Sequence, residues 1–397
     1  MQDTTTRTVL ERELVEKARQ LVPTLRALGP EVAGARVVPD RVIGLLRDAG
    51  LMSLLRPHRY GGPAVGADTA FRIARELARG DGSVAWVYAV LSAHDHLIGL
   101  YPATVQDAYW ASPVPRSSSS YMPTGRATPA PGGFRLDGRW SFSSGVDNAG
   151  WVVVGAIVGM LPCAPPAPDL RFFLVPRSEI ALDDDWHVLG LEGTGSKTLV
   201  FEQIFVPHER VLANEDIKAG TAPGATVHDD PLYRTSAWPL FGFCIVAPAV
   251  GLVQVAYDVV FEQIAARAKK SDPSFEARKA SVFGKLAEVS AQVDAALLLY
   301  ERGLTETSAL IAAGLPLPIE LKARNRRDQT YGTGLLRQAM STLLGMSGGS
   351  GIYEHNHVQR AFRDLHALSA HPGGSWETAS IDYGSVVLGG QPLEPLF

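Results

Sequence analysis

The sequence predicts an α+β protein in three consecutive parts: an N-terminal all-helical domain over residues 1–111, a β-domain over 112–215 and a C-terminal helical bundle over 216–397. Three observations carry this. Leu10, Leu14, Ala18, Leu21, Leu25 and Leu28 recur at helical spacing, and the same period continues through the first part. Between Pro113 and Val211, Pro, Gly and Ser become frequent and β-branched runs appear at Trp151–Val158, Arg171–Val175 and Thr198–Val206, as in a barrel or sandwich of short strands. After Ser236 the helical period returns in long segments broken by Pro and Gly, the pattern of a four-helix bundle.

In chain order, Asp40–Ala49 reads as a second helix stopped by Gly50, and Asp68–Arg79 as a third. Ser83 is the expected cap of a helix Val84–Leu100, which carries Trp86, His94 and His96. Pro102–Ala111 adds a short one. In the β-domain, Asp137-Gly138 marks a tight turn. Trp140 and Phe142 alternate with Arg139 and Ser141, as in a half-buried strand. Ser143-Ser144-Gly145 then turns the chain toward a more buried strand that starts at Trp151. Such a turn can bring hydroxyls and backbone N–H groups close to a flat ligand. Leu212–Pro231 is polar and reads as a loop, and Ser236–Ala268 as an apolar helix. Asp272-Pro273 starts another, whose face of Phe275, Val282, Phe283, Leu286, Val289, Val293, Leu297 and Tyr300 runs toward Ala313. Ile319–Met346 makes a further long helix, stopped by Ser347–Gly351, and two shorter helices close the chain.

The chain of 397 residues is 46% hydrophobic and 20% charged, which suits a soluble globular protein with a substantial core. A net charge of -4 gives no general attraction to nucleic acid or anionic membrane, so neither is an expected partner. Cys163 and Cys244 make no disulfide framework, which fits a reducing cytoplasm, and the N-terminus lacks the apolar core of a signal peptide. The most apolar run, Phe241–Tyr257, contains Pro248 and Gln254 and reads as a buried helix. His94 and His96 are two apart, so only one can face a site on a helix. They make a poor metal pair, as do His355 and His357, and no metal is expected. Gly190–Ser196 is not a nicotinamide fingerprint between a strand and a helix.

The order of the three parts joins a series of short motifs: Gly82-Ser-Val-Ala-Trp86, Ser118-Ser-Ser-Tyr121, Gly138-Arg-Trp140, Ser143-Ser-Gly145 and Gly190-Leu-Glu-Gly-Thr-Gly-Ser196. Phe205-Val-Pro207, Leu321-Lys-Ala-Arg-Asn-Arg-Arg-Asp328 and Arg363-Asp364-Leu-His366 continue it. Together they resemble the acyl-CoA dehydrogenase-fold flavoproteins. Within these the chain is most similar to flavin-dependent monooxygenases, the oxygenase components of two-component phenol hydroxylases such as those acting in steroid degradation and on 4-hydroxyphenylacetate.

The resemblance implies roles. Many dehydrogenases of this fold carry a catalytic carboxylate soon after an Arg-Asp pair. Here the matching pair is Arg363-Asp364, no carboxylate occupies that place in the stretch through Gly373, and His371 lies beside it. In the monooxygenases a histidine of this segment faces the reactive edge of the flavin, so His371 is expected to hydrogen-bond the oxygens of a flavin C4a-hydroperoxide. His94 and Ser120 match the histidine and serine that hold a phenolic oxygen. Ser118 and Ser119 stay open for the serine, because alternation in a strand leaves its face undecided. Ser144 matches a serine assigned to flavin N5, with Ser143 beside it, and Trp86 matches an aromatic near the ring. Arg234, in Asp230-Pro-Leu-Tyr-Arg234, resembles a segment near the flavin.

The implied reaction takes reduced flavin, FMNH2 or FADH2, from a separate NAD(P)H:flavin reductase, and with O2 hydroxylates a phenol ortho to its hydroxyl. Phenolate is the reactive form, yet a phenol of pKa ~10 is only about one part in a thousand ionised at pH 7. Closing that gap of ~3 units takes roughly 4 kcal/mol, within reach of a histidine that takes the proton and a serine that donates. The rivals are an N- or S-oxygenase on the same fold, an acyl-CoA dehydrogenase, and a binding protein with a decayed site. The resemblance also implies a homotetramer, which the several apolar stripes of the long C-terminal helices suit.

Overall fold

A computed structural model describes residues 4–63, 65–163, 166–269, 273–394 and 396. The N-terminal part is helical: α1 (Thr4–Ala35), α2 (Asp40–Asp48), α3 (Ala67–Ala78), α4 (Gly82–Ile98) and α5 (Ala103–Trp110). Leu14, Ala18 and Leu25 of the first stripe are buried. α4 is buried along its whole length, so it is a core strut with no solvent face. Its cap differs from the expected one. The Asp81 carboxylate accepts the Val84 N–H at 2.9 Å. Ser83 falls inside the first turn, where its hydroxyl accepts the Gly193 N–H at 3.1 Å. Asp caps as well as Ser does, and starting the helix earlier frees Ser83 to hold a distant loop.

The middle of the chain forms β1 (Ser117–Ser120), β2 (Arg126–Ala130), β3 (Gly133–Ser143), β4 (Trp151–Leu161), β5 (Ala167–Pro176), β6 (Ala181–Asp183), β7 (Lys197–Pro207) and β8 (Val211–Ala213). These make two four-stranded sheets, ordered β1-β4-β5-β8 and β2-β3-β7-β6. Side chains alternate along each strand. β4 sends Val152, Val154 and Ala156 into a core shared with Phe134, Leu136, Trp140, Leu199 and Phe201 of the other sheet, so the β-domain is a sandwich. Trp151 and Val153 point the other way, into a layer with Tyr101, Tyr109 and Trp238. Asp137-Gly138 is a bulge within β3 rather than a turn between strands. The register to β7 shifts between Leu136 and Gly138, and Gly138 has φ +126, which glycine adopts freely. The Ser143–Gly145 segment crosses from one sheet to the other.

A short helix, α6 (Asn214–Ala219), interrupts the stretch expected as loop. The bundle follows as α7 (Ala237–Lys269), α8 (Pro273–Glu276), α9 (Lys279–Ala312), α10 (Ile319–Ser347), α11 (His357–Ser369) and α12 (Trp376–Val387). The helix expected from Phe275 to Ala313 is therefore broken at Ala277 and Arg278, and Asp272, its expected cap, lies outside the described residues. α7 is long and apolar enough to cross a membrane, but 78% of its most apolar window is buried inside the protein. Apolar residues of α1 to α4 and of α7, α9, α10 and α11 belong to one continuous core. α4 packs on α3, α7 and β1, and thereby ties the helical layers to the sandwich.

Candidate active site

Trp86, Val90 and His94 lie four residues apart and share one face of α4, a span of about 12 Å at ~1.5 Å per residue. Trp238, Phe241 and Ile245 share a face of α7 in the same way. These two faces bound a site with two chemically distinct ends.

At one end His94 is fully buried. Its Nδ1 meets the Ser117 carbonyl, which can only accept, so Nδ1 carries the hydrogen. Nε2 is left as an acceptor, 2.9 Å from the Ser119 hydroxyl. The imidazole stacks on Phe241 at 5.7 Å, and Tyr121 stands edge-on at 6.0 Å. Tyr121 also meets Phe241 and Trp238, at 5.5 and 5.2 Å. The Tyr121 hydroxyl, beside Ser119, is buried, and burial keeps it protonated.

The parallel register of β1 on β4 decides which serine faces the histidine. Ser118 and Ser120 pair with Val152 and Val154, which face the sandwich core, whereas Ser119 pairs with Val153, which faces the helices. The Ser120 hydroxyl accordingly donates to the Ser141 carbonyl at 2.7 Å. Ser119, not the expected Ser120, meets His94. His96 turns away as its spacing requires, with Nε2 3.0 Å from the Leu232 carbonyl.

Burial lowers both histidines to about 4, partly opposed by their carbonyl partners. This has a stability consequence. The unfolded chain takes up protons near pH 6.5 that the folded chain refuses until about pH 4, so each histidine favours unfolding as pH falls through that window. The loss is about 2 kcal/mol per histidine at pH 5. Urea unfolding at pH 7 and pH 5 is expected to show a smaller acid loss in His96→Gln than in the wild type. An identical loss would mean that His96 does not contribute.

At the other end the Trp86 indole donates to the Ser144 hydroxyl at 2.9 Å. Ser144 lies 2.8 Å from Ser196, and Ser196 2.7 Å from Thr194. His371 follows α11, with its ring 5.5 Å from that of Trp86. Its Nδ1 accepts the Gly373 N–H at 3.0 Å, so Nε2 carries the hydrogen and can donate. Burial, with a smaller push from Arg326, lowers it to about 4, and the ring is neutral near pH 7. The Ile245 side chain of α7 lies 3.9 Å from where a Cβ on the neighbouring Gly373 would sit.

The structure thus brings Trp86, Ser144 and His371 together and leaves out two residues expected with them. Ser143 is fully buried and its hydroxyl bonds Ser118 at 2.6 Å. Ser118 spends its hydrogen on the Ser144 carbonyl at 2.7 Å, so Ser143 must donate to Ser118 and offers no hydrogen to a ligand. Arg234 is exposed and its guanidinium clamps the carbonyls of Ala225 and His228 in its own loop, at 3.2 and 3.3 Å. It touches none of the other candidates.

Tyr121, Phe241, Trp238, Thr194 and Ser196 join the site without having been singled out from the sequence. Tyr121, Thr194 and Ser196 lay in motifs already marked, but Phe241 sits in an apolar run that gives no sign of its role. Among the described residues, no group of three or more His, Cys, Asp and Glu could hold a metal ion. The donor set suits a flavin instead. An indole and a neutral imidazole flank a half-buried hydroxyl, and Gly145 beside it has φ +70, where a Cβ would be strained and would come within 3.0 Å of Val87.

Residues 6–112 match the family model for the acyl-CoA dehydrogenase N-terminal domain, and residues 243–376 that for the acyl-CoA dehydrogenase C-terminal domain. The chain is 34% identical over 376 residues to the flavin-dependent monooxygenase oxygenase subunit HsaA of Rhodococcus jostii, covering 94% of this chain and 97% of that one. It is 31% identical over 389 residues to the oxygenase component of the FADH(2)-dependent resorcinol hydroxylase of a Rhizobium species, covering 96% and 95%. The crystal structure of the HsaA monooxygenase from Mycobacterium tuberculosis superposes with a TM-score of 0.90 at 32% identity, over 98% of this chain and 100% of that one.

Proposed function

Because the chain belongs to the acyl-CoA dehydrogenase-fold flavin-dependent monooxygenases, as an oxygenase component, we propose that its substrate is a phenol gripped by His94 and Ser119. The observation that carries this is the acceptor at His94 Nε2, held by a serine hydroxyl that can turn away, in a box of Tyr121, Phe241 and Trp238. A phenolic O–H can give its proton to Nε2 while Ser119 turns to donate to the phenolic oxygen. The resulting imidazolium and phenolate form a charge-assisted pair in a dry site, which offsets the low basicity that burial imposes on His94. The aromatic walls hold the ring.

Trp86, Ser144 and His371 would hold the flavin, FMNH2 or FADH2. Reduced flavin with O2 supplies the oxygen atom. His371 offers a neutral N–H donor beside the place where many acyl-CoA dehydrogenases of this fold carry a basic carboxylate, which weighs against dehydrogenation. The reduced flavin comes from a separate NAD(P)H:flavin reductase, in keeping with the relatives' description as oxygenase components. Two cysteines, Cys163 and Cys244, in a chain of this length build no disulfide framework, in keeping with a cytoplasmic setting. The assembly is a homotetramer. Phe283 and Leu298 of α9, Tyr331 of α10 and Trp376 and Ile381 of α12 are exposed apolar residues that a second copy would cover. Light scattering at micromolar concentration is expected to give a tetramer, and a monomer would sink this assignment.

The function is tested by mixing the protein with reduced flavin, O2 and matched panels of phenols, anilines and thioethers, with products identified by mass. One added oxygen ortho to a phenolic hydroxyl is the expected result. Oxygenation of amines or thioethers alone would overturn it in favour of an N- or S-oxygenase.

A further inference from the structure

The hydroxyl chain behind Trp86 has a direction. Thr194 Oγ1 lies 2.9 Å from the Leu191 carbonyl oxygen. A carbonyl has no hydrogen to give, and two oxygens at that separation repel unless a hydrogen lies between them. The Thr194 hydrogen is therefore spent on Leu191. Thr194 Oγ1 can then only accept from Ser196, at 2.7 Å, and Ser196 can only accept from Ser144, at 2.8 Å. Ser144 also accepts the Trp86 N–H at 2.9 Å. A serine hydroxyl has one hydrogen and two lone pairs. With the hydrogen on Ser196 and one lone pair on Trp86, Ser144 has one lone pair left for a ligand. Toward that ligand it is an acceptor only. Donation down the chain also makes its oxygen more electron-rich.

The far end of the chain is locked. Leu191 is held at φ +54, a left-handed conformation that costs a residue with a side chain. Its N–H donates to the buried Asp364 carboxylate at 2.7 Å. Its carbonyl also takes the Thr194 N–H at 3.0 Å and the Trp186 indole at 3.2 Å. Rotating that carbonyl away would break every bond it accepts. Thr194 and Ser196 are buried, so bulk water does not compete for their hydroxyls.

We propose that Thr194 and Ser196 are positioning residues that fix Ser144 as a hydrogen-bond acceptor, and that this makes the site select reduced over oxidised flavin. The inference rests on the flavin reading of this site. The two redox forms differ at N5, which carries an N–H when reduced and presents a lone pair when oxidised. An acceptor meets the first and opposes the second. For a chain that takes its flavin already reduced, the same preference favours release of the spent form.

Anaerobic titrations measure the dissociation constants of reduced and oxidised flavin for the wild type, Thr194→Val, Ser196→Ala and Thr194→Ser. In Thr194→Val, Ser196 loses its acceptor and can turn its hydrogen on Ser144. In Ser196→Ala, Ser144 loses its own acceptor. Either change frees the Ser144 hydrogen to point outward. The preference for reduced flavin is expected to drop about ten-fold in both, the scale of one hydrogen bond, and to return in Thr194→Ser. The ratio of the two constants is the readout, because a merely structural role weakens both forms alike. A ratio unchanged in both variants overturns the proposal, as does a Thr194→Ser variant that behaves like Thr194→Val. A wild type that binds neither form overturns the flavin reading itself.

Discussion

His94→Ala is expected to consume reduced flavin and O2 at close to the wild-type rate while releasing hydrogen peroxide in place of product. The imidazole bonds the Ser117 carbonyl and the Ser119 hydroxyl, and makes no bond to Trp86, Ser144 or His371. Flavin handling is thus separable from the grip on the phenol. Losing a charge-assisted contact of ~1.5–3 kcal/mol slows oxygen transfer roughly ten- to a hundred-fold. The defect should shrink as pH approaches the phenol's own pKa of ~10, where solvent supplies the phenolate. The measurement is product formed per reduced flavin consumed, between about pH 6 and pH 10. Ser119→Ala should share the defect in smaller measure. Ser120→Ala should not, because that hydroxyl is spent on the Ser141 carbonyl. A purely structural His94 would instead lower thermal stability and flavin affinity together, with no rescue at high pH. Unchanged coupling would remove His94 from the site, and with it the main reason to prefer phenols over amines.

The choice between Ser119 and Ser120 shows where the sequence stops being legible. That a strand of serines faces a histidine follows from local pattern and resemblance. Which serine does so depends on the pairing of β1 with β4, a contact between residues more than thirty positions apart. The three-part fold was legible because each part repeats its own period over many residues. The bulge at Gly138 was not, since Asp-Gly serves a turn and a bulge equally and only the partner strand distinguishes them. Ser83 failed as a cap for a similar reason: two good caps lay two residues apart, and the loop at Gly193 claimed one of them. The chain from Ser144 to Thr194 joins two motifs that the sequence marked separately, without showing that their hydroxyls meet. Arg234 was drawn in by resemblance, and its own loop holds it.

Arg360→Met should lower stability by about 3–5 kcal/mol, because it breaks a buried ion pair from one side. The guanidinium of Arg360 meets the fully buried Asp81 carboxylate at 2.7 Å and also touches the Gly29 carbonyl. Asp364 lies beside them, buried, and is pushed up to about 7 by burial and by the charge of Asp81. Burial raises Asp81 as well, and Arg360 opposes it. Without the cation both carboxyls must rise further. A carboxyl raised by folding contributes stability that is full below its unfolded value near 4 and is lost as pH climbs through the folded value. The deficit of the variant should therefore widen from pH 5 to pH 8 and narrow toward acid, opposite in sign to the histidine effect in the wild type. Denaturant unfolding of both proteins at the two pH values measures it. An equal deficit at both would reduce the role of Arg360 to the packing of its aliphatic stem. The site should feel the same change, because Asp81 caps the helix that carries Trp86 and Asp364 holds the N–H of Leu191. Reduced-flavin affinity in Arg360→Met is accordingly expected to fall as pH rises, in step with stability.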